Sequence, residues 1–208
     1  MFGALRINDD PPAGSAEAIL AAAGRLFYAR GLTAVVMQDI RAAAGVSLKK
    51  LYATYSSKEE LVAAYLQRCN ERWLGALTDH LQDVEPTTMA RVRALFDWLD
   101  SWFHESTFNG CAFSNAHGEL GALPESARAI VAEHVGGLRT LLSNEVLLDP
   151  EQHDAAMISD LLLLLQGAIS TATLGGDRMA AVRAGRLAEL MVRSAERQPA
   201  LPGGRAPA

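Results

Sequence analysis

The chain has 208 residues, half of them hydrophobic, and a formal net charge of −5. That length and apolar share suit one compact unit, or a small domain joined to a larger one, and exclude disorder of the whole. The acidic balance argues against a protein that coats nucleic acid without regard to sequence.

Residues 1–14, with Asp9-Asp10-Pro11-Pro12, read as a flexible leader whose apolar runs are too short for a signal peptide. A first helix is expected from about Ser15 to Ala29, with Ile19, Leu20, Ala23, Leu26 and Phe27 on one face and Gly31 as its stop. A second should run from about Ala34 to Ala44, presenting Val36, Ile40 and Ala43 together. Gly45 accepts the left-handed conformation that ends a helix abruptly, and Ser47 is placed to cap a third helix carrying Leu51 and Tyr52, with Val46 turned to the core. Two short helices meeting at a tight turn are the plan of a helix-turn-helix, whose second helix enters the DNA major groove.

The charges support this reading. Ser15 to Glu60 holds six Lys or Arg against four Asp or Glu, Leu61 to Ala208 holds twelve against eighteen, and all three lysines lie between Lys49 and Lys58. Lys49 and Lys50 fall in the first turn of the third helix and Lys58 opens the fourth, where the helix dipole disfavours a cation by roughly 0.3–1 kcal/mol. Phosphate removes that conflict, since lysine and the free N–H groups of a helix start both attract it. A locally basic reader on an acidic body also limits stray binding to DNA.

Ser57-Lys58-Glu59-Glu60 is a capping box, so a fourth helix should start at Lys58 and reach about Leu81, burying Val62, Leu66, Cys69, Trp73 and Leu77. Its length makes it the expected mechanical link between reader and body. Thr87 or Thr88 can cap a fifth helix through Ser106, and Cys111 to Leu120 makes a sixth. Pro124 sets the start of a seventh that reaches Leu147 or Leu148, with a close contact or bend expected at Gly136-Gly137. Asp149-Pro150-Glu151 opens an eighth ending near Gly175-Gly176, and Asp177 caps a ninth through about Gln198. Residues 199–208 read as a mobile tail. The fold class is therefore all-α, about nine helices, with a reader over 15–60 and a helical bundle over 61–198.

Leu161 to Leu165 is an unbroken apolar run, but Asp160, Gln166 and several Ser and Thr interrupt the span that a membrane crossing needs. A soluble helix this apolar is buried on more than one side, and the ninth helix, with Met179, Val182, Leu187, Leu190 and Met191, is the expected neighbour. Two copies of that pair would form a four-helix interface. The two cysteines, Cys69 and Cys111, lack metal-type spacing and suit a reducing cytoplasm.

The runs AILAAAGRLFYARG, QDIRAAAGVS and LYATYSSKEEL resemble the DNA-binding domain of the tetracycline-repressor family over about Ala16 to Leu66. Lys49-Lys50 replace a common Gly-Thr, Thr54-Tyr55 a common His-Phe, and Arg41 an Ala, while Val35 and Val36 stand where the family tends to place the Thr or Ser that caps the second helix. Thr33 is the nearest substitute. The resemblance implies a homodimer joined through the last two long helices and an effector cavity in the C-terminal bundle.

Assigned to DNA are Thr33, Gln38, Ser47, Leu48, Lys49, Lys50, Tyr52, Thr54 and Lys58. Lys49, Lys50, Lys58, Tyr52 and Thr54 suit mainly phosphate, and Gln38 with the exposed side of Leu48 to Lys50 suits base edges. An effector cavity is mostly apolar with a few placed polar groups. Its candidates are Trp98, Trp102, Phe103, Phe108, Cys111, Phe113, His117, His134 and Gln166, with Asn115 and Glu119 nearby, although aromatic residues at helical spacing are also ordinary core. His117-Gly118-Glu119 and His153-Asp154 lack the spacing of a two-histidine zinc site, and no phosphate loop or nucleophile elbow occurs. No catalytic residue, metal or cofactor is therefore assigned. The expected function is a cytoplasmic, ligand-responsive regulator, a repressor released from a palindromic operator by a small, largely apolar molecule. An activator or ligand-independent regulator remains open, as does a helical enzyme or lipophile carrier that retains a helix-turn-helix.

Overall fold

The computed structural model describes residues 14–120, 125–148 and 155–197. Among these residues there are helices and turns and no strand. The leader, the tail, the Pro124 start and the Asp149-Pro150-Glu151 start lie outside them, apart from Gly14. Contacts divide the chain into two compact units, one from residues 1–76 and 105–137, the other from 77–104 and 138–208.

The first unit opens with α1, Ser15–Arg30, which buries Ile19, Ala23 and Phe27. Helix α2 is Met37–Ala44, three residues shorter at its start than the sequence suggests. Val36 precedes it in an extended conformation (φ −106°, ψ 158°), the region a β-branched residue prefers, so helical spacing does not apply to it. Val36 is consequently 53% exposed and Ala43 also faces out, while Val35, Met37 and Ile40 enter the core. Gly45 takes the left-handed conformation (φ 68°) that closes α2. Helix α3, Leu48–Thr54, follows with Ser47 Oγ accepting the Lys50 N–H at 3.1 Å.

Helix α4 is Lys58–Gln82. Ser57 Oγ accepts the Glu60 N–H at 3.1 Å, but Glu60 Oε2 takes the Ser56 N–H and hydroxyl, each at 2.7 Å, so the reciprocal half of the capping box has moved one residue outward. The buried face of α4, with Leu61, Val62, Tyr65, Leu66 and Cys69, joins Ile19, Phe27, Val35, Ile40 and Leu51 in one core. Phe113 and Ala116 of α6 (Ala112–Leu120) and Ala127 of α7 (Glu125–Leu141) close it. Each fully buried leucine or isoleucine contributes roughly 1.5–3 kcal/mol. Of α4, residues to Ala76 belong to this unit and the rest to the other.

In the second unit α5, Thr88–Phe103, is capped by Thr87 Oγ1, which accepts the Ala90 N–H at 3.2 Å. It ends before Ser106 because the His104 N–H closes on the Asp100 and Ser101 carbonyls. Helix α7 likewise stops short of Leu147. Its ladder widens into a π turn, Leu142–Val146, closed by the Leu147 N–H on the Leu142 carbonyl at 2.9 Å. Helices α8 (Ala155–Gly175) and α9 (Ala180–Arg197) pack with α5. The start of α9 lies past Asp177 because that carboxylate accepts the Met179 N–H at 3.1 Å, forming a turn ahead of the helix. Its inner stripe is small, Ala180, Ala181, Ala184, Gly185 and Ala188, which lets α5 approach closely.

Candidate nucleic-acid interface and effector residues

The short helices of the first unit bury one side and leave Gln38, Leu48, Lys49, Lys50 and Tyr52 exposed on the other. Tyr52 is 47% and Leu48 40% exposed. The Ser47 hydroxyl accepts at its cap and keeps its O–H to donate. Gln38 Oε1 accepts from Arg41 Nε at 2.9 Å, which orients the amide and leaves its NH2 group outward. The Thr54 hydroxyl donates to the Lys50 carbonyl at 2.9 Å, so towards a partner it keeps only acceptor capacity. Lys58 is half-buried, and its Nζ donates to the Thr33 carbonyl at 3.4 Å. Asp39 pairs with Arg30 at 3.2 Å, and the Glu60 carboxyl is held below its ordinary range by its bonds from Ser56.

The effector candidates fall in both units. In the first, Phe113 stacks on His134 with centroids 3.9 Å apart and planes 12° apart, and Trp73 meets the same imidazole edge-on at 5.7 Å. His134 Nδ1 lies 2.9 Å from Asn70 Oδ1, an atom that can only accept, so the proton is on Nδ1. Burial lowers the imidazole pKa from 6.5 to about 4, so it is neutral at pH 7. Phe108 and Cys111 are half-buried and His117 is exposed. Burial pushes the Cys69 thiol up to about 12, which leaves it inert. In the second unit Trp98, Trp102 and Phe103 form a buried ladder along α5, with centroid spacings of 6.3 and 6.0 Å, and Gln166 of α8 is exposed. Among the described residues no group of three or more His, Cys, Asp or Glu could hold a metal ion.

Several polar partners have no signal in the sequence. Asn70 is one. Tyr28 is another: its Oη donates to the Gly110 carbonyl at 3.0 Å and accepts the Asn109 N–H at 2.9 Å, while Asn109 Nδ2 donates to the Tyr28 carbonyl at 2.7 Å. Glu119 is the third, accepting the Thr33 N–H through Oε2 at 3.0 Å. These pairs join residues 64 to 86 positions apart, and nothing local announces them.

Helix α8 is long and apolar enough to cross a membrane by length and composition, and only its Leu161, Leu162, Leu165, Ala168, Ile169 and Ala172 stripe is buried. Leu163 and Leu174 on it, and Met179, Leu187 and Leu190 on or just before α9, are exposed large hydrophobic residues of the second unit.

Two family models match the sequence: one described as bacterial regulatory proteins, tetR family, over residues 19–65, the other as the tetracyclin repressor-like C-terminal domain over residues 88–188. The transcriptional repressor NemR of Escherichia coli is 27% identical over 138 residues, covering 66% of this chain and 69% of its own. Its reduced form superposes with a TM-score of 0.75 at 24% identity, over 84% of this chain and 94% of that one. The transcriptional activator FasR of Mycolicibacterium smegmatis is 35% identical over 100 residues, 47% of this chain and 44% of its own. A TetR-family regulator from Streptomyces coelicolor shares the fold with a TM-score of 0.75 at 24% identity, covering 91% of this chain and 98% of that one.

Proposed function

The chain belongs to the tetR family of bacterial regulatory proteins, ligand-responsive DNA-binding transcriptional regulators, and from that premise we propose that it is a cytoplasmic repressor released from a palindromic operator by a small, largely apolar effector. The observation that carries the DNA side is the exposed surface of α2 and α3, where Gln38, Leu48, Lys49, Lys50 and Tyr52 stand clear of a closed core. Lys49, Lys50 and Lys58 meet phosphate, with the Ser47 and Tyr52 hydroxyls beside them, while the Thr33 and Thr54 hydroxyls stay bonded to carbonyls of the chain, and Gln38 with the outer side of Leu48 to Lys50 meets base edges. The reader is residues 15–60, and residues 61–198 serve effector binding and pairing.

Family members act as dimers, and the exposed leucines of α8 and α9 supply the face for it here. Covering them takes an interface well over roughly 1,000 Å², which a second copy of the same two helices provides. The effector is held in the C-terminal residues by aromatic groups such as Trp102, and α4 carries the readout because its residues belong to both units. A ligand shifts DNA affinity only by its differential affinity for the two states, about 1–3 kcal/mol in typical couplings.

Gel-shift titration on DNA flanking the protein's own gene tests this reading. It predicts a saturable complex of two chains per site, tighter than on random DNA and weakened by Gln38→Ala by about 1–3 kcal/mol per half-site on the operator alone. A monomeric mass by light scattering at micromolar concentration, or equal affinity for every sequence, would contradict it.

A further inference from the structure

Helix α2 begins without the local support that a helix start normally has. Val36 occupies its capping position and has no side-chain bond to give, and Thr33, the nearest hydroxyl residue, is turned elsewhere. Its backbone N–H donates to Glu119 Oε2 at 3.0 Å and its hydroxyl approaches the Glu119 carbonyl at 3.5 Å. The Thr33 carbonyl in turn accepts from Lys58 Nζ. Both peptide groups flanking Thr33 are thus held from a distance, one by the end of α6 and one by the start of α4.

Gly31, the stop of α1, leaves room for the carboxylate. Its φ is +85°, and a Cβ there would come within 2.6 Å of Glu119 Oε2. The same stretch of chain also grips the last turn of α1, through Asn109 and Gly110 on Tyr28, and Asn115 Nδ2 ties the start of α6 to that loop by donating to the Asn109 carbonyl at 2.8 Å. Residues 109–119 therefore fasten the chain on both sides of the α1 stop.

We propose that Glu119 is a positioning residue for DNA recognition: its carboxylate, carried by α6, holds the Thr33 N–H and so sets the turn that leads into α2 and presents the Thr33–Lys58 pair. The assignment rests on the DNA-binding reading above, and Glu119 itself touches no DNA. A carboxylate near a phosphate-binding surface repels phosphate, and here its charge is partly met by the Thr33 N–H it accepts. Because the acceptor rides on α6, a shift of that helix by more than a hydrogen bond's tolerance frees the start of the reader.

The test uses the full-length dimer and two variants, Glu119→Ala, which removes the acceptor, and Glu119→Gln, which removes the charge and keeps a carbonyl. Amide exchange at Thr33 is followed in the free protein, and affinity is measured for the flanking DNA. Glu119→Ala should speed Thr33 exchange and weaken operator binding, each by about tenfold, with a smaller change on random DNA. Glu119→Gln should restore most of both. Unchanged exchange at Thr33 in Glu119→Ala would overturn the proposal, as would tighter DNA binding by that variant, the mark of simple repulsion, or a failure of Glu119→Gln to rescue. If the parent protein bound no DNA, the functional reading and this role would fall together, and the exchange rates alone would still show whether the clasp exists.

Discussion

At the scale of single residues, His134 shows how a polar group is admitted to a core. Its Nδ1 proton goes to Asn70, whose own amide NH2 reaches Glu133 Oε1 at 3.5 Å, and its ring lies flat on Phe113. The folded protein holds the imidazole pKa at about 4, below its ordinary 6.5. As pH falls between these values the unfolded chain takes up a proton that the folded chain refuses. Stability should then drop by up to about 1.4 kcal/mol per pH unit within that window and be unaffected by this group above it. Urea unfolding at pH 7 and pH 5 measures the slope, and His134→Gln should lose His134's share of it. An identical slope in both chains would mean that the imidazole is not kept neutral by burial. From sequence His134 could be singled out as a polar residue in apolar surroundings. Its partner could not, because Asn70 is 64 positions away.

Helices obey more local rules. The caps at Ser47, Ser57 and Thr87 and the turn at Gly45 were legible because each is a contact within four residues, fixed by side-chain chemistry alone. The start of α2 was not, since Val36 adopts an extended backbone there, and the turn before it is held at Thr33 by a carboxylate 86 residues downstream. The paired glycines of α7 are a similar case: the expected close contact exists at Gly137, where a Cβ would meet Leu74 Cδ1 at 2.6 Å, while nothing lies within 4 Å of one at Gly136. Gly136→Ala should therefore stabilise the protein by about 0.4–1 kcal/mol through helix propensity. Gly185→Ala in α9 gains the same propensity but drives its methyl to 2.9 Å from Phe96 Cβ, which cannot swing away, so it should destabilise by about 1–3 kcal/mol. Thermal or urea melts of the two variants decide this, and a stabilised Gly185→Ala would mean that α5 and α9 are not closely packed.

For the whole molecule, the sequence revealed the helix order and the apolar pair α8 and α9, because periodicity reports which side of a helix is apolar. It could not reveal that residues 105–137 pack with the reader's own helices, since that grouping is made by contacts between distant segments. The effector candidates suffer from the same limit, as Trp102 and His134 look alike in sequence and fall in different units. In the proposed complex two copies of the α2–α3 reader hold DNA through lysines at helix starts. The salt dependence of binding to the flanking DNA tests it most directly, with the parent dimer and Lys58→Ala compared. A dimer presents Lys58 twice, and each lost phosphate contact removes about 0.9 from the log–log slope, so the variant should be shallower by roughly 1.8, and nearly equally on operator and random DNA. A Lys58→Ala dimer that kept the parent's slope would show that this lysine meets no phosphate, contradicting the interface.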